Sequence, residues 1–296
     1  MLSGDTTGAT NTASSGMIEL NAWGGGAGGS VYIESLSTRS DAVVIEGIEG
    51  GTSSLNGIWG GNDNNDIVSS GGFILRANHV HASLDLHLSV SGQVVIEPHG
   101  SQFRTSSTLT DAFTANFRST DTNDSLWLKS PPAGIRIGSA SNSNQVTLNT
   151  SFTSAGDIEV IANRIDVQSN PTIVTSTVSA KILLKARDWI DIRNGTNAST
   201  HATLQTNNGD IVLWSDADGS GAGSIYLGTH SELNSANGLK SKTGSGGGRI
   251  TLAGSFGNPG MDAAGHPLGS MADAGNNNGS AGGTLAGELA ASTEIY

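Results

Sequence analysis

Similar pairs of short apolar segments return along this chain about every two dozen residues. Residues 158–167 consist of two alternating segments joined by a bend around an alanine, and residues 182–192 repeat that outline. The first segments lie 24 residues apart (158 to 182) and the second segments 25 apart (165 to 190). Because a solenoid buries its core by stacking each repeat on the next, this spacing predicts that Ile158 and Ile182 are direct neighbours one turn apart.

The repeated segments have the pattern of β-strands. Apolar and polar residues alternate with period two, as in half-buried strands, and no long stretch has the i, i+3, i+4, i+7 pattern of a helix. A propeller needs longer blades of about 40–45 residues, and a sandwich needs hairpin-linked strands. The sequence therefore predicts an all-β fold, specifically a parallel β-helix (β-solenoid). Examples of the segments are 18–20, 31–33, 84–88, 135–137 and 146–148.

Further repeats extend the pattern towards both ends. Residues 209–213 lead through a glycine-rich turn to 224–227, much as residues 16–20 lead to 30–33. Ile225 is followed 25 residues later by Ile250, so these two residues are also expected on adjacent turns.

Composition changes near residue 255. Residues 1–254 are predicted to form the β-helix, with irregular loops at 50–66, 99–123 and 194–208. Residues 255–296 are rich in Gly, Ala and Asn and are predicted to be a loop or tail that returns to a strand at Ile295 and Tyr296.

The bulk composition limits the possible functions. The 296 residues include 42 glycines, only 14% are charged, and the net charge is −12. This charge disfavours binding to nucleic acid or to anionic membranes and mainly favours solubility. Cysteine is absent, which excludes thiol catalysis and thiolate metal sites. No apolar run approaches the about 20 residues of a membrane-spanning helix, and no signal peptide is apparent, so we expect an internal piece of a larger exported protein.

Two motifs carry a resemblance to a known family. Residues 156–160 and 209–213 share a Gly-Asp-Ile beginning, and residues 215–227 run from Ser-Asp-Ala-Asp-Gly through a glycine-rich turn to Ser-Ile-Tyr-Leu. Over about residues 156–254 the chain resembles bacterial exoproteins and adhesins of the filamentous-haemagglutinin type, which are secreted by a two-partner route.

The resemblance implies a right-handed parallel β-helix on the bacterial cell surface or outside the cell. It also implies an outer-membrane partner channel that exports the parent protein, and an adhesive role. The amino-terminal secretion domain of that family is not recognisable in this sequence.

A short acidic string is the best candidate for a metal site. Asp216, Asp218 and Ser220 place oxygen ligands at alternate positions before and within a glycine turn, as at the start of a calcium loop. The twelfth position, where an EF-hand has Glu, is Leu227. The alternative is a plain Asp/Gly turn without metal. Residues 63–66 form a second acidic loop of the same kind.

Other polar groups are candidate sites. His79, His81 and His87 lie close in sequence, and His79 and His81 share one face of a strand by period two, so a two-histidine surface site is conceivable, but no well-placed third ligand is visible. Asp166 is expected one turn from Asp191, where the two carboxylates could bind calcium, act on a sugar or be solvated outer-face residues.

The aromatic residues suggest contacts with sugars or core packing. Trp189 and Trp214 are placed on strands, and Trp23 and Trp59 in glycine-rich turns. No set of residues forms an active site, and no cofactor is indicated apart from calcium.

The sequence thus predicts a non-catalytic structural or adhesive rod. Its expected partners are a glycan or protein on a host or neighbouring cell and other copies of the chain, end to end. The alternatives are a carbohydrate-binding or carbohydrate-degrading β-helix and a subunit of an extracellular filament. No nucleic-acid partner and no membrane insertion are expected.

Overall fold

Parallel pairing of short strands makes up the fold in the computed structural model. The structure describes residues 10–12, 17–23, 31–33, 37–48, 58–60, 66–77, 86–98, 100, 103, 113–115, 117–118, 126–192, 201–219, 223–228, 230–237, 247–254 and 294–295. Among these residues the chain forms strands, turns and irregular segments and no helix. It follows that none of the described segments is a helix long and apolar enough to cross a membrane. The chain divides into two units, residues 1–145 and 146–296.

Strands of the first unit are numbered in chain order. They are β1 (Thr10–Thr12), β2 (Met17–Trp23), β3 (Val31–Ile33), β4 (Ser37–Ile48), β5 (Ile58–Gly60), β6 (Asp66–Ala77), β7 (Leu86–Val90), β8 (Gln93–Glu97), β9 (Phe113–Ala115), β10 (Phe117–Arg118), β11 (Leu126–Leu128) and β12 (Gly134–Gly138).

Strands of the second unit continue this numbering, and β13 begins at the last residue of the first unit. They are β13 (Gln145–Leu148), β14 (Phe152–Ser154), β15 (Ile158–Ala162), β16 (Arg164–Val167), β17 (Thr172–Val178), β18 (Ile182–Ala186), β19 (Trp189–Ile192), β20 (Thr203–Asn207), β21 (Ile211–Ser215), β22 (Ser224–Leu227), β23 (Glu232–Asn234), β24 (Ile250–Gly254) and β25 (Glu294–Ile295).

In the first unit, successive strands stack in register. β2 pairs with β4, β4 with β6, β6 with β8 and β8 with β12, all parallel. The register aligns Val43, Phe73, Val94 and Ile135 in one column, and all four side chains are fully buried. An apolar residue repeated at the same register position therefore builds a continuous core ladder.

The long strand β6 bends at a corner. Its first part pairs with β7 and its second part with β8. At the bend, the Ser69 hydroxyl donates to the Gly72 carbonyl (2.7 Å) and accepts from the Gly72 N–H (3.1 Å). A Cβ on Gly92 would lie 1.0 Å from the Gly71 carbonyl oxygen, so two successive corners pack backbone against backbone.

An alternating ladder of charges runs across the outer side of the same strands. Arg76 contacts Glu46 (3.6 Å) and Glu97 (2.6 Å), and Arg136 contacts the other oxygen of Glu97 (2.8 Å). The hydrogen bond with Glu97 is the main reason that the pKa of Arg76 is raised. Opposite charges on neighbouring strands relieve the repulsion that in-register stacking of like charges would cause.

Three parallel sheets form the second unit. Sheet I contains β15, β18, β21 and β24; sheet II contains β13, β16, β19 and β22; sheet III contains β14, β17, β20, β23 and β25. From β13 to β24 the chain visits sheets II, III and I in this order four times. None of the sheets closes on itself in the described part of the chain. The predicted all-β class with parallel strands is confirmed.

The predicted neighbours are present in the second unit. Ile158 pairs with Ile182 and Ile165 with Ile190, at the expected offsets. In sheet I, Ile211 extends the column of Ile158 and Ile182. All of these isoleucines are at most 1% exposed. Alternation within β15 and β18 leaves Glu159 and Leu183 on the outer side, half-buried.

Each of three successive passages of the chain from sheet III to sheet I has a side-chain hydroxyl that donates a hydrogen bond to a backbone carbonyl at the corner. Thr175 donates to the Ala180 carbonyl (3.0 Å), Thr206 to the Gly209 carbonyl (2.5 Å) and Ser235 to the Gly248 carbonyl (2.7 Å). These bonds satisfy backbone carbonyls that the change of direction would leave without a strand partner.

The aspartate of the Gly-Asp-Ile motif accepts a backbone hydrogen bond at the same corner. The Asp157 carboxylate accepts the backbone N–H of Lys181, and the Asp210 carboxylate accepts that of Arg249, both at 2.8 Å. In each case the aspartate reaches the residue that precedes the equivalent strand on the next turn. The motif therefore links successive turns at the point where a strand of sheet I begins.

Several sequence predictions were wrong in detail. Ile250 pairs with Ile211 and not with a residue of β22, because the turn before β24 is longer and the 25-residue spacing joins strands of different sheets. The segments expected to be loops contain β5, β9, β10 and β20. Trp23 and Trp59 lie on β2 and β5, not in turns. Residues 255–293 lie outside the described residues, and Glu294–Ile295 pair with β23.

Adding a methyl group at the Gly209 corner is expected to destabilise the fold. A Cβ there would lie 1.9 Å from the Ala180 carbonyl oxygen, so the backbones of two turns would have to separate. We expect Gly209→Ala to lower the free energy of unfolding by about 2 kcal/mol or more, measured by urea denaturation. Gly247→Ala is the matched control, since its Cβ would make only ordinary contacts at 3.4 Å and beyond. Equal effects of the two substitutions would contradict this account of the corner.

Candidate functional site

The outer side of sheet II carries an unusual set of side chains for a solvent-facing sheet. Ile190 and Ile192 of β19 point inward and are fully buried, so Trp189 and Asp191 point outward. Register places Ser224 beside Trp189 and Tyr226 beside Asp191. We call the set Arg164, Trp189, Asp191, Ser224 and Tyr226 the Trp189 face.

Arg164 contacts one side chain of its own strand, β16, and two side chains of the neighbouring strand, β19. Its guanidinium contacts the Asp166 carboxylate (2.8 Å) and the Asp191 carboxylate (3.4 Å). It also lies 4.9 Å from the centre of the Trp189 ring, in a cation–π contact. Because Asp166 pairs directly with Asp191 in register, Arg164 neutralises two carboxylates that stacking forces together.

The expected pairing of Asp166 with Asp191 is confirmed, but their surroundings differ from a solvated surface. Asp166 is only 3% exposed. A carboxylate this buried needs a partner, and Arg164 supplies it. The interpretation of Asp166 as a solvated outer-face residue was therefore wrong.

Trp189 is held in place although it is exposed. Its side chain is 44% exposed, whereas Trp214 on β21 is 4% exposed and lies beneath the Lys185 ammonium group (4.1 Å). The Trp189 side chain also interacts with the Asp188 carboxyl and opposes the rise in its pKa. The Arg164 guanidinium therefore restricts the orientation of the Trp189 ring from one face.

Asp188 is the titratable group with a perturbed pKa beside this face. Partial burial raises the pKa of Asp188, the interaction with the Trp189 side chain and the charge of Arg164 oppose that rise, and the nearby Asp218 and Asp216 add to it. The carboxyl groups of Asp188, Asp216 and Asp218 therefore lie near one another at the bend between β18 and β19.

Two of the residues predicted to bind calcium, Asp216 and Asp218, follow the end of β21, next to this bend. Asp216 is 1% exposed with a left-handed backbone (φ 51°), and its N–H bonds the Asp188 carbonyl (3.3 Å). Asp218 forms an ion pair with Arg187 (3.3 Å), and Ser220 lies outside the described residues. No group of three or more potential metal ligands occurs in the part of the chain that the structure describes. Calcium binding at Asp216, Asp218 and Ser220 stays a prediction.

Of the three candidate histidines, only His87 is among the described residues. His87 is 5% exposed and packs edge-on against Trp127, its register partner on β11. His79, His81 and residues 63–65 lie outside the described residues, and of Asp66 only the backbone placement in β6 is described.

Sequence reasoning missed the role of Arg164. Arg164 and Asp166 have the i, i+2 spacing of residues on one side of a strand, which was the available signal. Their contact with Asp191 depends on the register between turns.

Comparison with known proteins gives no relative for this chain. No family model matches the sequence, and neither curated proteins nor solved structures provide a match.

Removing the Arg164 charge is expected to destabilise sheet II. Arg164→Met keeps an apolar stem but leaves Asp166 and Asp191 facing each other without a counter-charge. We expect a loss of about 3 kcal/mol in unfolding free energy, because a buried pair loses one partner. Adding Asp166→Asn and Asp191→Asn to the Met variant should recover a large part of this loss in the same denaturation assay. Absence of recovery would mean that Arg164 acts mainly through packing.

Replacing Asp188 is expected to alter the pH dependence of stability. Since the pKa of Asp188 is raised on folding, ionisation opposes folding, and the wild type loses stability as pH rises from the unfolded towards the folded pKa. Asp188→Asn should therefore be more stable than the wild type at pH 7. The advantage should vanish below about pH 4, where the wild-type group is protonated in both states. Thermal unfolding across this range measures the difference, and an advantage independent of pH would contradict the prediction.

Proposed function

We propose that the chain is a segment of a right-handed parallel β-helix that serves as a stiff, non-catalytic, extracellular rod in a bacterial surface protein. The observation that carries this proposal is the visiting order of the three sheets in the second unit. A chain that passes through the same three sheets in the same order and pairs each strand with its equivalent one turn away winds as a coil. Right-handedness follows the strong preference of parallel crossover connections.

Stiffness would come from the direction of the hydrogen bonds. In such a coil, the ladders between strands run along the axis, and adjacent strands lie about 4.8 Å apart. Extending the coil would require many backbone hydrogen bonds to break together. The apolar columns add burial along the same axis, as in the column of Ile158, Ile182 and Ile211.

The use of charged groups supports a structural role over a catalytic one. Asp166 and Asp191 share Arg164, and Glu97 is held between Arg76 and Arg136. These ion pairs offset the repulsion and desolvation that stacking creates. Their positions are thus explained without an active site.

Location and partners follow from the family resemblance of the sequence motifs. We place the parent protein at the bacterial cell surface, exported through an outer-membrane partner channel. Its partner would be a glycan or protein on a host or neighbouring cell, and copies of the chain could associate end to end.

Incubation with polysaccharides tests the non-catalytic proposal. The intact chain is mixed with a panel of neutral and acidic polysaccharides, and reducing ends and unsaturated sugars are measured over time. We expect no product above the level of the heat-denatured chain, with a known lyase as positive control. Turnover of any polysaccharide would replace the structural proposal with a carbohydrate-degrading one.

A further inference from the structure

We propose that the Trp189 face binds a neutral oligosaccharide, an inference that rests on the proposed adhesive function and gives it a site. Two large apolar side chains are markedly exposed among the described residues, Trp189 and Val178. Val178 ends β17 on sheet III, whereas Trp189 lies among polar and aromatic groups on sheet II.

The restricted orientation of Trp189 is the first argument. An indole that is 44% exposed gives up part of the free energy that burial would provide. Arg164 nevertheless restricts the orientation of the ring from one face. An aromatic ring that is both accessible and restricted in orientation loses little entropy when a ligand stacks on it, which makes it suitable as a binding anchor.

Register supplies the second argument. Arg164 occupies the side of the indole that faces β16, and the residue beside Trp189 on the opposite strand, β22, is Ser224. A serine side chain is too short to cover the indole ring. A flat ligand ring can therefore lie over Ser224 against the second side of Trp189, within the strand spacing of about 4.8 Å.

Neighbouring groups determine the chemistry of the ligand. A pyranose ring presents C–H groups to an aromatic ring and hydroxyl groups at its edges, and Asp191 and Tyr226 lie in the next row to receive those hydroxyls. Asp166, Asp188, Asp191 and Asp218 outnumber Arg164 and Arg187 around the face. The excess of carboxylates repels uronic acids and sulfated sugars, so the ligand is a neutral glycan.

Binding to defined oligosaccharides tests this inference on the full chain. The probes are cellohexaose, maltohexaose, mannohexaose and xylohexaose, with oligogalacturonate as the acidic comparison, and binding is followed by calorimetry and by ligand-observed NMR. We expect at least one neutral hexaose to bind and oligogalacturonate not to bind. Trp189→Ala should weaken binding about tenfold or more, as truncation of an aromatic anchor does.

Matched variants separate stacking from loss of structure. Ser224→Phe should block the second side of the indole and abolish binding. Val178→Ala removes the other exposed apolar side chain and should have no effect. Circular dichroism and thermal unfolding confirm that each variant is folded. Equal binding by the wild type and Ser224→Phe would overturn the assignment of this face.

The outcomes distinguish this inference from the proposed function. Failure of all neutral hexaoses to bind at millimolar concentration overturns the glycan site and leaves the structural rod untouched. Preference for oligogalacturonate overturns the charge argument and hence the inference. Binding that is lost in Trp189→Ala but is accompanied by cleavage would keep the site and overturn the non-catalytic proposal.

Discussion

Backbone hydrogen bonding between equivalent strands in fixed register is the interaction on which the rest of this structure depends. Once Ile158 is paired with Ile182, every following residue of the two strands is also assigned its neighbour. Side chains of the same kind then stack, which is favourable for apolar residues and unfavourable for charges. The ion pairs of Arg164 and Arg76 are the consequence, because each guanidinium lies between carboxylates contributed by different turns or strands.

The corners keep equivalent strands in register although the number of residues between those strands varies widely. Within sheet I, the step from Ile182 to Ile211 is 29 residues and the step from Ile211 to Ile250 is 39. Both turns end in the same way, with a hydroxyl-to-carbonyl bond and a glycine in close backbone contact at Gly209 and Gly248. Extra residues therefore enter between strands, where a loop of added length costs little free energy.

The same strand ladders position the side chains of the proposed binding surface. Inward residues of β19 fix the strand, and alternation then projects Trp189 and Asp191 outward. Neighbouring turns add Arg164 on one side and Ser224 with Tyr226 on the other. A ligand on the open side of Trp189 would thus meet groups of β19 and β22, while Arg164 of β16 supports the indole from behind. The proposed rod and the proposed adhesive surface are compatible, because rigidity would serve both.

The sequence by itself determined the all-β class, the parallel stacking of Ile158 on Ile182, and the pairing of Asp166 with Asp191, since these depend on local alternation and on a nearly constant spacing between the repeated segments. It could not determine that Ile250 stacks on Ile211, because an insertion of unknown length can make strands of different sheets look equivalent. Only the tertiary structure decided which side chains meet across turns. The burial of Asp166 and the contacts of Arg164 with Asp191 and Trp189 belong to that class, because they depend on residues of different strands that the register brings together.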